Sequence, residues 1–392
     1  MTTDNHIQSY PAEFADIAPY NETNYYDKLV ALTHEPGFEH AIRYIMPDID
    51  YEAFCRDIVS VGSQREFQER VMGRFLANLE KLSTAGITSD GVENVRPGMS
   101  YTFISNHRDI VLDAAFLNLV MLRGSLPVTQ IAIGNNLLIM DWITDLVKIN
   151  RSFIVKRDVQ KMEALRAAQH LSAYIRYTIS QMHESLWIAQ RQGRAKDSND
   201  RTQESLVKML TLAGGEDTRQ AILDVNLMPV SISYEYDPND YLKVREFLCK
   251  RRDPDFHKSQ HDDLLSMETG MLGFKGRVHF SIAPCINDAL EQCRCSGRAE
   301  AVHTACRLID NAIHRGYFLY PINYIAYDVV NNTDRYADRY TAEDRARAEE
   351  YVASRLAKVD LPHITDEERE YMRMMMLTMY ANPVRNQEAA RS

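Results

Sequence analysis

The hydrophobic pattern changes twice along the chain. Residues 1–95 carry apolar positions at helical spacing, most regularly between Glu66 and Leu82. Between about 100 and 285, short apolar runs typical of β-strands alternate with amphipathic stretches, and after 298 the helical pattern returns. This order predicts an α/β fold, in which a central mixed sheet is flanked by helices and both ends of the chain form helical extensions.

The central part of the pattern predicts six strands and three helices. The predicted strands are Tyr101–Ser105, Val128–Ile133, Ser152–Val155, Leu186–Gln190, Met228–Tyr234 and Val278–Ala283. The predicted helices are 112–122, 136–148 and 158–182, the last with an apolar stripe that includes Val159 and Met162. Near the end of the chain, Thr365 followed by Glu368 predicts a capping box that opens a final helix. We therefore divide the chain into a helical region 1–90, an α/β domain 91–285 and a helical region 286–392.

Composition and charge narrow the class of protein. The 392 residues carry a net charge of −10, which argues against a nucleic-acid-binding protein. The polar N-terminus lacks a signal-peptide pattern, and no apolar run approaches the length of a membrane-spanning helix. The six scattered cysteines indicate reduced thiols rather than a metal site. We expect a cytoplasmic protein, and peripheral contact with the inner face of a membrane stays open.

The candidate chemistry begins where the first predicted central strand ends. The apolar run Tyr101–Ser105 leads into Asn106 and His107, and Asp109 and Asp113 follow closely. Histidine titrates near neutrality, and a neighbouring carboxylate can fix its tautomer and stabilise its charged form. Taken alone, the same pattern is also typical of a histidine at the start of a helix, with Asp109 as its N-cap.

Cationic clusters follow two further predicted strands. Arg151, Lys156 and Arg157 flank Ser152–Val155, and Arg194 and Lys196 follow Gly193 after Leu186–Gln190. Ligands in α/β proteins bind near strand ends, and arginine and lysine are the usual phosphate-binding residues. These clusters therefore indicate a phosphorylated substrate, although solvated charge around an edge strand is the alternative.

In order and spacing, these blocks resemble the four motifs of the glycerolipid acyltransferase family over about residues 90–285. Gly91-Val92-Glu93-Asn94 resembles the strand that leads into the family's first motif. That motif is Asn-His, four residues and an aspartate, whereas here Asp113 follows His107 with one extra residue in the turn. The family's third motif carries Glu-Gly, where this chain has Gln192-Gly193.

The resemblance implies direct transfer of a fatty acyl group from a thioester to the hydroxyl of glycerol 3-phosphate or lysophosphatidate. His107 would be the general base and Asp113 its orienting carboxylate, with Asp109 as the substitute. The implied substrate-binding residues are Asn106, Arg108, Arg151, Lys156, Arg157, Gln192, Gly193, Arg194, Lys196 and Pro229. The implied partners are acyl-CoA or acyl carrier protein and a phosphorylated glycerol acceptor, with no resident cofactor or metal. A non-catalytic lipid-binding or scaffolding protein, or an acyltransferase for a different lipid, is the alternative.

Overall fold

The structure, a computed structural model, describes residues 10–157 and 161–392. Its fold is α/β, with one seven-stranded mixed sheet between layers of helices and further helices at both ends of the chain. The strands are β1 (Ile87–Asp90), β2 (Thr102–Ser105), β3 (Gln130–Gly134), β4 (Ser152–Val155), β5 (Leu186–Ala189), β6 (Leu227–Tyr234) and β7 (Val278–Ile282).

The helices precede, separate and follow these strands. They are α1 (Tyr25–Leu32), α2 (Pro36–Ile45), α3 (Tyr51–Val59), α4 (Gln64–Glu66), α5 (Gly73–Ser83), α6 (Leu112–Arg123), α7 (Asp141–Ile149), α8 (Lys161–Ser180), α9 (Glu204–Thr211), α10 (Thr218–Leu223), α11 (Asp240–Arg252), α12 (Gln260–Leu272), α13 (Asn287–Gln292), α14 (Arg298–Arg315), α15 (Pro321–Asn331), α16 (Ala342–Leu356) and α17 (Asp366–Arg391). A π-helical segment, Phe67–Met72, joins α4 to α5. Within the described residues, no helix combines the length and the apolar character that crossing a membrane requires.

The sheet places β2 at its centre. The strand order is β1-β7-β6-β2-β5-β3-β4, and all neighbouring pairs are parallel except β6 with β7. Thr102 of β2 pairs with Leu186 of β5 on one side and with Leu227 of β6 on the other. The carboxyl end of β2 therefore lies between two parallel neighbours, where α/β proteins commonly bind ligands.

Both faces of the central strands β2, β5 and β6 are buried, which explains their apolar runs in the sequence. Phe103 of β2 faces a core formed with α5 and α6, and the next residue, Ile104, faces a core formed with α8, α9, α10 and α14. A third core joins α11 to α15, α16 and α17, and a fourth joins α1, α2 and α3 to α7. The N-terminal helices thus pack against α7, which lies between β3 and β4 in the chain.

The expected α/β architecture and the six predicted strands are confirmed, with boundaries that shift by at most two residues. The predicted helix 158–182 is observed as α8, and its stripe residue Val159 lies outside the described residues. The capping box is confirmed, because Glu368 N donates to Thr365 Oγ1 at 3.2 Å and Thr365 N donates to Glu368 Oε2 at 3.0 Å. The division at residues 90 and 285 stays a prediction.

The expected lead-in strand at Gly91-Val92-Glu93-Asn94 is wrong. The strand is β1, which ends one residue earlier, and Val92–Asn94 forms a 3₁₀ turn. Gly91 has a left-handed φ of 71°, which ends the extended conformation. The turn brings Asn94 Nδ2 to the carbonyl oxygen of Ile282, to which it donates at 2.7 Å. This turn therefore holds the end of the edge strand β1 against the end of β7.

Replacing Gly91 with alanine tests this close approach. A Cβ at Gly91 would lie 2.0 Å from the Ile282 carbonyl oxygen, whereas a Cβ at Gly98, which has a φ of 78°, would meet no atom within 4 Å. We expect Gly98→Ala to lower the free energy of unfolding by about 1 kcal/mol, through the left-handed backbone alone. Gly91→Ala adds overpacking and should cost about 3 kcal/mol or more. Urea denaturation measures both, and equal losses would contradict the close approach of Gly91 to the Ile282 carbonyl oxygen.

Candidate active site

The turn between β2 and α6 places a histidine against a carboxylate. The chain leaves β2 at Ser105 and passes through Asn106 and His107 before α6 begins at Leu112. His107 Nδ1 lies 2.8 Å from Oδ2 of Asp113, the second residue of α6. An ionised carboxylate only accepts hydrogen bonds, so Nδ1 carries the proton and Nε2 keeps a lone pair. The described part of the chain offers Nε2 no hydrogen-bond partner.

Asp113 is fully buried and holds the turn together. Its Oδ2 also accepts the backbone N–H groups of Arg108 at 2.6 Å and Asp109 at 3.0 Å. A carboxylate in the first turn of a helix is further stabilised by the helix dipole. Although the turn has one residue more than the family pattern, these two bonds close it and bring Asp113 to the His107 ring.

Asp109 has a different place in the same turn. Its Oδ1 accepts the N–H groups of Val111 at 2.9 Å and Leu112 at 2.8 Å, which is the behaviour of a residue that caps a helix. Burial, together with the charge of Asp113, raises the pKa of the Asp109 carboxyl group. Asp109 does not contact His107 in the structure. It therefore does not take the place of Asp113 as the carboxylate that orients the histidine, which was the alternative expected from the sequence.

Two neighbouring side chains position the turn on the sheet. The ring of Trp187 in β5 packs against the His107 ring at a centroid distance of 5.7 Å and an angle of 64°. The side chain of Asn106 is fully buried and bridges to β6, donating to the carbonyl oxygen of Ile232 at 2.9 Å and accepting its N–H at 2.8 Å. Asn106 therefore anchors the end of β2 and does not line the cavity described next.

His107 lines a cavity of about 880 Å³. Much of the wall is apolar and comes from the N-terminal helices, the π-helical segment and α7, with Phe38, Ile42, Phe54, Phe67, Phe75 and Trp142 among the lining residues. A cavity of this size with mostly apolar walls is typical of a site for a small organic ligand. The His107 side chain is only 13% exposed, so the ring is largely buried where it lines the cavity.

The same cavity has a cationic part. Its cationic lining residues are Lys156, Arg157, Arg191, Arg194, Lys196 and Lys258, and Gln192, Gly193 and the carboxylate of Asp263 line the cavity with them. Gly193 has a φ of 68°, and a Cβ there would meet no atom within 4 Å, so the backbone is open at this point. Arg157 lies over Gly134, where a Cβ would come within 2.8 Å of the guanidinium carbon. Six of the predicted substrate-binding residues are thus brought together with His107.

The other predicted substrate-binding residues lie away from the cavity. Arg108 is buried and donates to the Asp200 carboxylate through Nη1 at 3.1 Å and Nη2 at 2.6 Å. Arg151 is buried in an ion pair with Glu184. Pro229 lies inside β6, paired with Ile104 of β2. Together with Asn106, these side chains contact the protein interior, which corrects their expected position at the ligand.

Several lining residues have no counterpart in the sequence-based prediction. Lys258 lies in the segment between α11 and α12, and Arg191 precedes Gln192. The apolar wall from α2, α3 and α5 lies far from His107 in sequence, and its helical periodicity is the same as that of a core-facing helix. In the part of the chain that the structure describes, no three His, Cys, Asp or Glu side chains are grouped to hold a metal ion.

Comparisons with known proteins add little to this geometry. No family model matches the chain, and no curated protein matches it. Among solved structures, the chain is similar to the 1-acyl-sn-glycerophosphate (LPA) acyltransferase PlsC from Thermotoga maritima, with 12% sequence identity and a TM-score of 0.38. The match covers 73% of this chain and 94% of that one. At this level of similarity, the candidate function depends on the residues of this chain alone.

The buried pair of Arg151 and Glu184 can be tested as a structural element. We expect Arg151→Ala to lower the free energy of unfolding by about 3 kcal/mol, because it removes the buried cation that pairs closely with Glu184, while the longer contact of Glu184 with Arg65 at 3.9 Å stays. Lys156→Ala is the control, since Lys156 pairs with Asp16 where both side chains are more than 40% exposed, and we expect it to cost at most about 1 kcal/mol. Urea denaturation measures both. A near-zero loss for Arg151→Ala would contradict a structural role.

Proposed function

We propose that this chain is an acyltransferase that moves a fatty acyl group from a thioester to a hydroxyl group of a glycerol-phosphate-type acceptor. The donor would be acyl-CoA or acyl carrier protein, and the acceptor glycerol 3-phosphate or lysophosphatidate, as in phospholipid biosynthesis. The observation that carries the proposal is the 2.8 Å contact between His107 and Asp113 at the wall of the 880 Å³ cavity. No resident cofactor is needed for this reaction.

The proposed chemistry is general-base catalysis. Nε2 of His107 takes the proton of the acceptor hydroxyl as the oxygen attacks the thioester carbonyl carbon. The tetrahedral intermediate collapses with cleavage of the C–S bond, and the proton on the imidazolium ring neutralises the leaving thiolate. Asp113, which accepts from Nδ1, stabilises the imidazolium ring and keeps Nε2 available for the substrate.

The walls of the cavity suit the two substrates. An acyl chain is stabilised by removal from water, so the apolar lining from α2, α3, α5 and α7 favours it. The cationic lining, which includes Arg157 and Lys196, favours a phosphate group. A thioester and a hydroxyl can then meet at His107, which lines the same cavity as both surfaces.

Replacing the histidine tests the proposed base. We expect His107→Ala to lower kcat for transfer from palmitoyl-CoA by about 10² to 10⁴-fold, which is the usual contribution of a general base. His303→Ala is the matched control, because the His303 side chain is 72% exposed on α14 and should leave kcat unchanged. Unchanged turnover in His107→Ala rules out the base. Lipid binding by the wild-type protein without any turnover would favour the non-catalytic alternative.

Replacing each aspartate of the turn with asparagine distinguishes a catalytic role from a structural one. Asp113→Asn removes the charge that stabilises the imidazolium ring, so we expect kcat to fall by about 10² to 10⁴-fold. Asp109→Asn keeps an oxygen for the N–H groups of Val111 and Leu112 and has no contact with His107, so kcat should be close to that of the wild type. Steady-state kinetics with folding checked by circular dichroism distinguishes the two. A larger loss in Asp109→Asn would reverse the assignment.

A further inference from the structure

Three cations lie where the main cavity meets a smaller recess. Arg194, Lys196 and Lys258 line the 880 Å³ cavity and also a recess of about 20 Å³ beside α11. Arg194 and Lys196 belong to the loop after β5, and Lys258 to the segment after α11. The recess has room for about one water molecule, so a larger group that contacts all three cations must lie on the side of the main cavity.

A single carboxylate organises the lysines. Glu246 on α11 has a side chain only 6% exposed and forms an ion pair with Lys196. It also lies 3.0 Å from the ammonium nitrogen of Lys250 and 3.6 Å from that of Lys258. Three ammonium groups therefore share Glu246, although Lys258 also approaches Asp263 at 3.3 Å. The carboxylate fixes the lysines in place without neutralising all of them.

Two observations indicate that Glu246 does not balance all of the positive charge in this cluster. Burial is the main cause that lowers the pKa of Lys196 to about 8; Glu246 opposes this shift, and the smaller effects of the Lys258 and Lys250 charges act in the same direction as burial. Arg194 has a buried Nη1 that no group in the described residues contacts by a hydrogen bond. An anion placed between these side chains would relieve the repulsion and supply the missing acceptor.

The sheet places the loop that carries Arg194 and Lys196 close to the proposed base. β5 and β6 are the two neighbours of β2, which carries His107 at its end, and α11 follows β6. Strands lie about 4.8 Å apart, so the ends of β5 and β6 are about 5 Å from β2, whereas the end of β4 is about 14 Å away. In a glycerol phosphate, the hydroxyl and phosphate groups are separated by at most three carbon atoms. The loop after β5, with Arg194 and Lys196, therefore suits a phosphate better than Lys156 and Arg157 after β4, and Lys258 joins this loop through the shared Glu246.

We propose that Arg194, Lys196 and Lys258 form a phosphate-binding subsite, held by Glu246, in which Lys258 determines specificity for a phosphorylated substrate. The assignment of that phosphate to a substrate rests on the acyltransferase function proposed above. Two sources share this chemistry, the phosphate of the acceptor and the phosphates of coenzyme A. In either case Lys258 acts by binding, with no part in proton transfer.

Kinetics with paired substrates tests the role of Lys258. The acceptor pair is lysophosphatidate and monoacylglycerol, and the donor pair is palmitoyl-CoA and palmitoyl-pantetheine. We expect Lys258→Met to raise KM for a phosphorylated substrate by about 10- to 100-fold, the range for a lost hydrogen bond to a charged group, with kcat and the neutral analogue little changed. The pair that responds identifies the source. Lys258→Arg should restore most of the loss.

Lys250→Met is the matched control. Lys250 shares Glu246 but is 51% exposed and does not line the cavity, so its replacement should leave every KM unchanged. If Lys258→Met raises KM equally for a phosphorylated substrate and its neutral analogue, the subsite is ruled out. The same holds if Lys250→Met has the same effect as Lys258→Met.

A binding measurement separates the subsite from the proposed reaction. Titration calorimetry with inorganic phosphate on the full chain should show binding to the wild type and to Lys250→Met, and a loss of at least about 10-fold in affinity for Lys258→Met. Absence of acyl transfer by the wild type would refute the proposed function, while this pattern of phosphate binding would still support the subsite. Equal phosphate affinity in the three proteins would overturn the subsite.

Discussion

One carboxylate oxygen organises the centre of this molecule. Oδ2 of Asp113 receives the His107 ring and the backbone N–H groups of Arg108 and Asp109, so a single atom closes the turn and orients the imidazole. The turn can take this form because Asn106 locks the end of β2 to β6 just before it. Local hydrogen bonds thus determine which ring nitrogen faces the cavity, and every interpretation of the chemistry depends on them.

The sheet could be predicted from the sequence wherever both of its faces are buried. The strands Thr102–Ser105 and Ser152–Val155 are apolar runs flanked by polar turns, and their positions follow from that pattern alone. The apolar pattern does not place the lead-in strand at Ile87–Asp90, because Thr88, Ser89 and Asp90 are polar and largely exposed at the edge of the sheet. Its pairing with β7 depends on a contact with residues almost two hundred positions away, which local patterning does not contain.

The candidate site was predictable in part. The contact between His107 and Asp113 lies within one turn, so short-range spacing suffices to find it. Tertiary contacts determine whether each cationic side chain lies in the protein interior or at the cavity. Arg108 and Arg151 find the buried partners Asp200 and Glu184 and turn inward, whereas Lys258 reaches the cavity from a segment with no recognisable motif. The sequence identifies the cationic residues but not the carboxylates with which they form ion pairs.

The apolar wall of the cavity has a consequence for how the chain can be divided. Phe38, Phe54 and Phe75 come from the first ninety residues, while His107 and the cationic lining come from the central region. Removing the N-terminal helices would remove one wall of the cavity and expose an apolar concave surface to solvent, which favours self-association. The cavity therefore depends on the preceding helices for one of its walls, and a fragment limited to residues 91–285 would lack that wall.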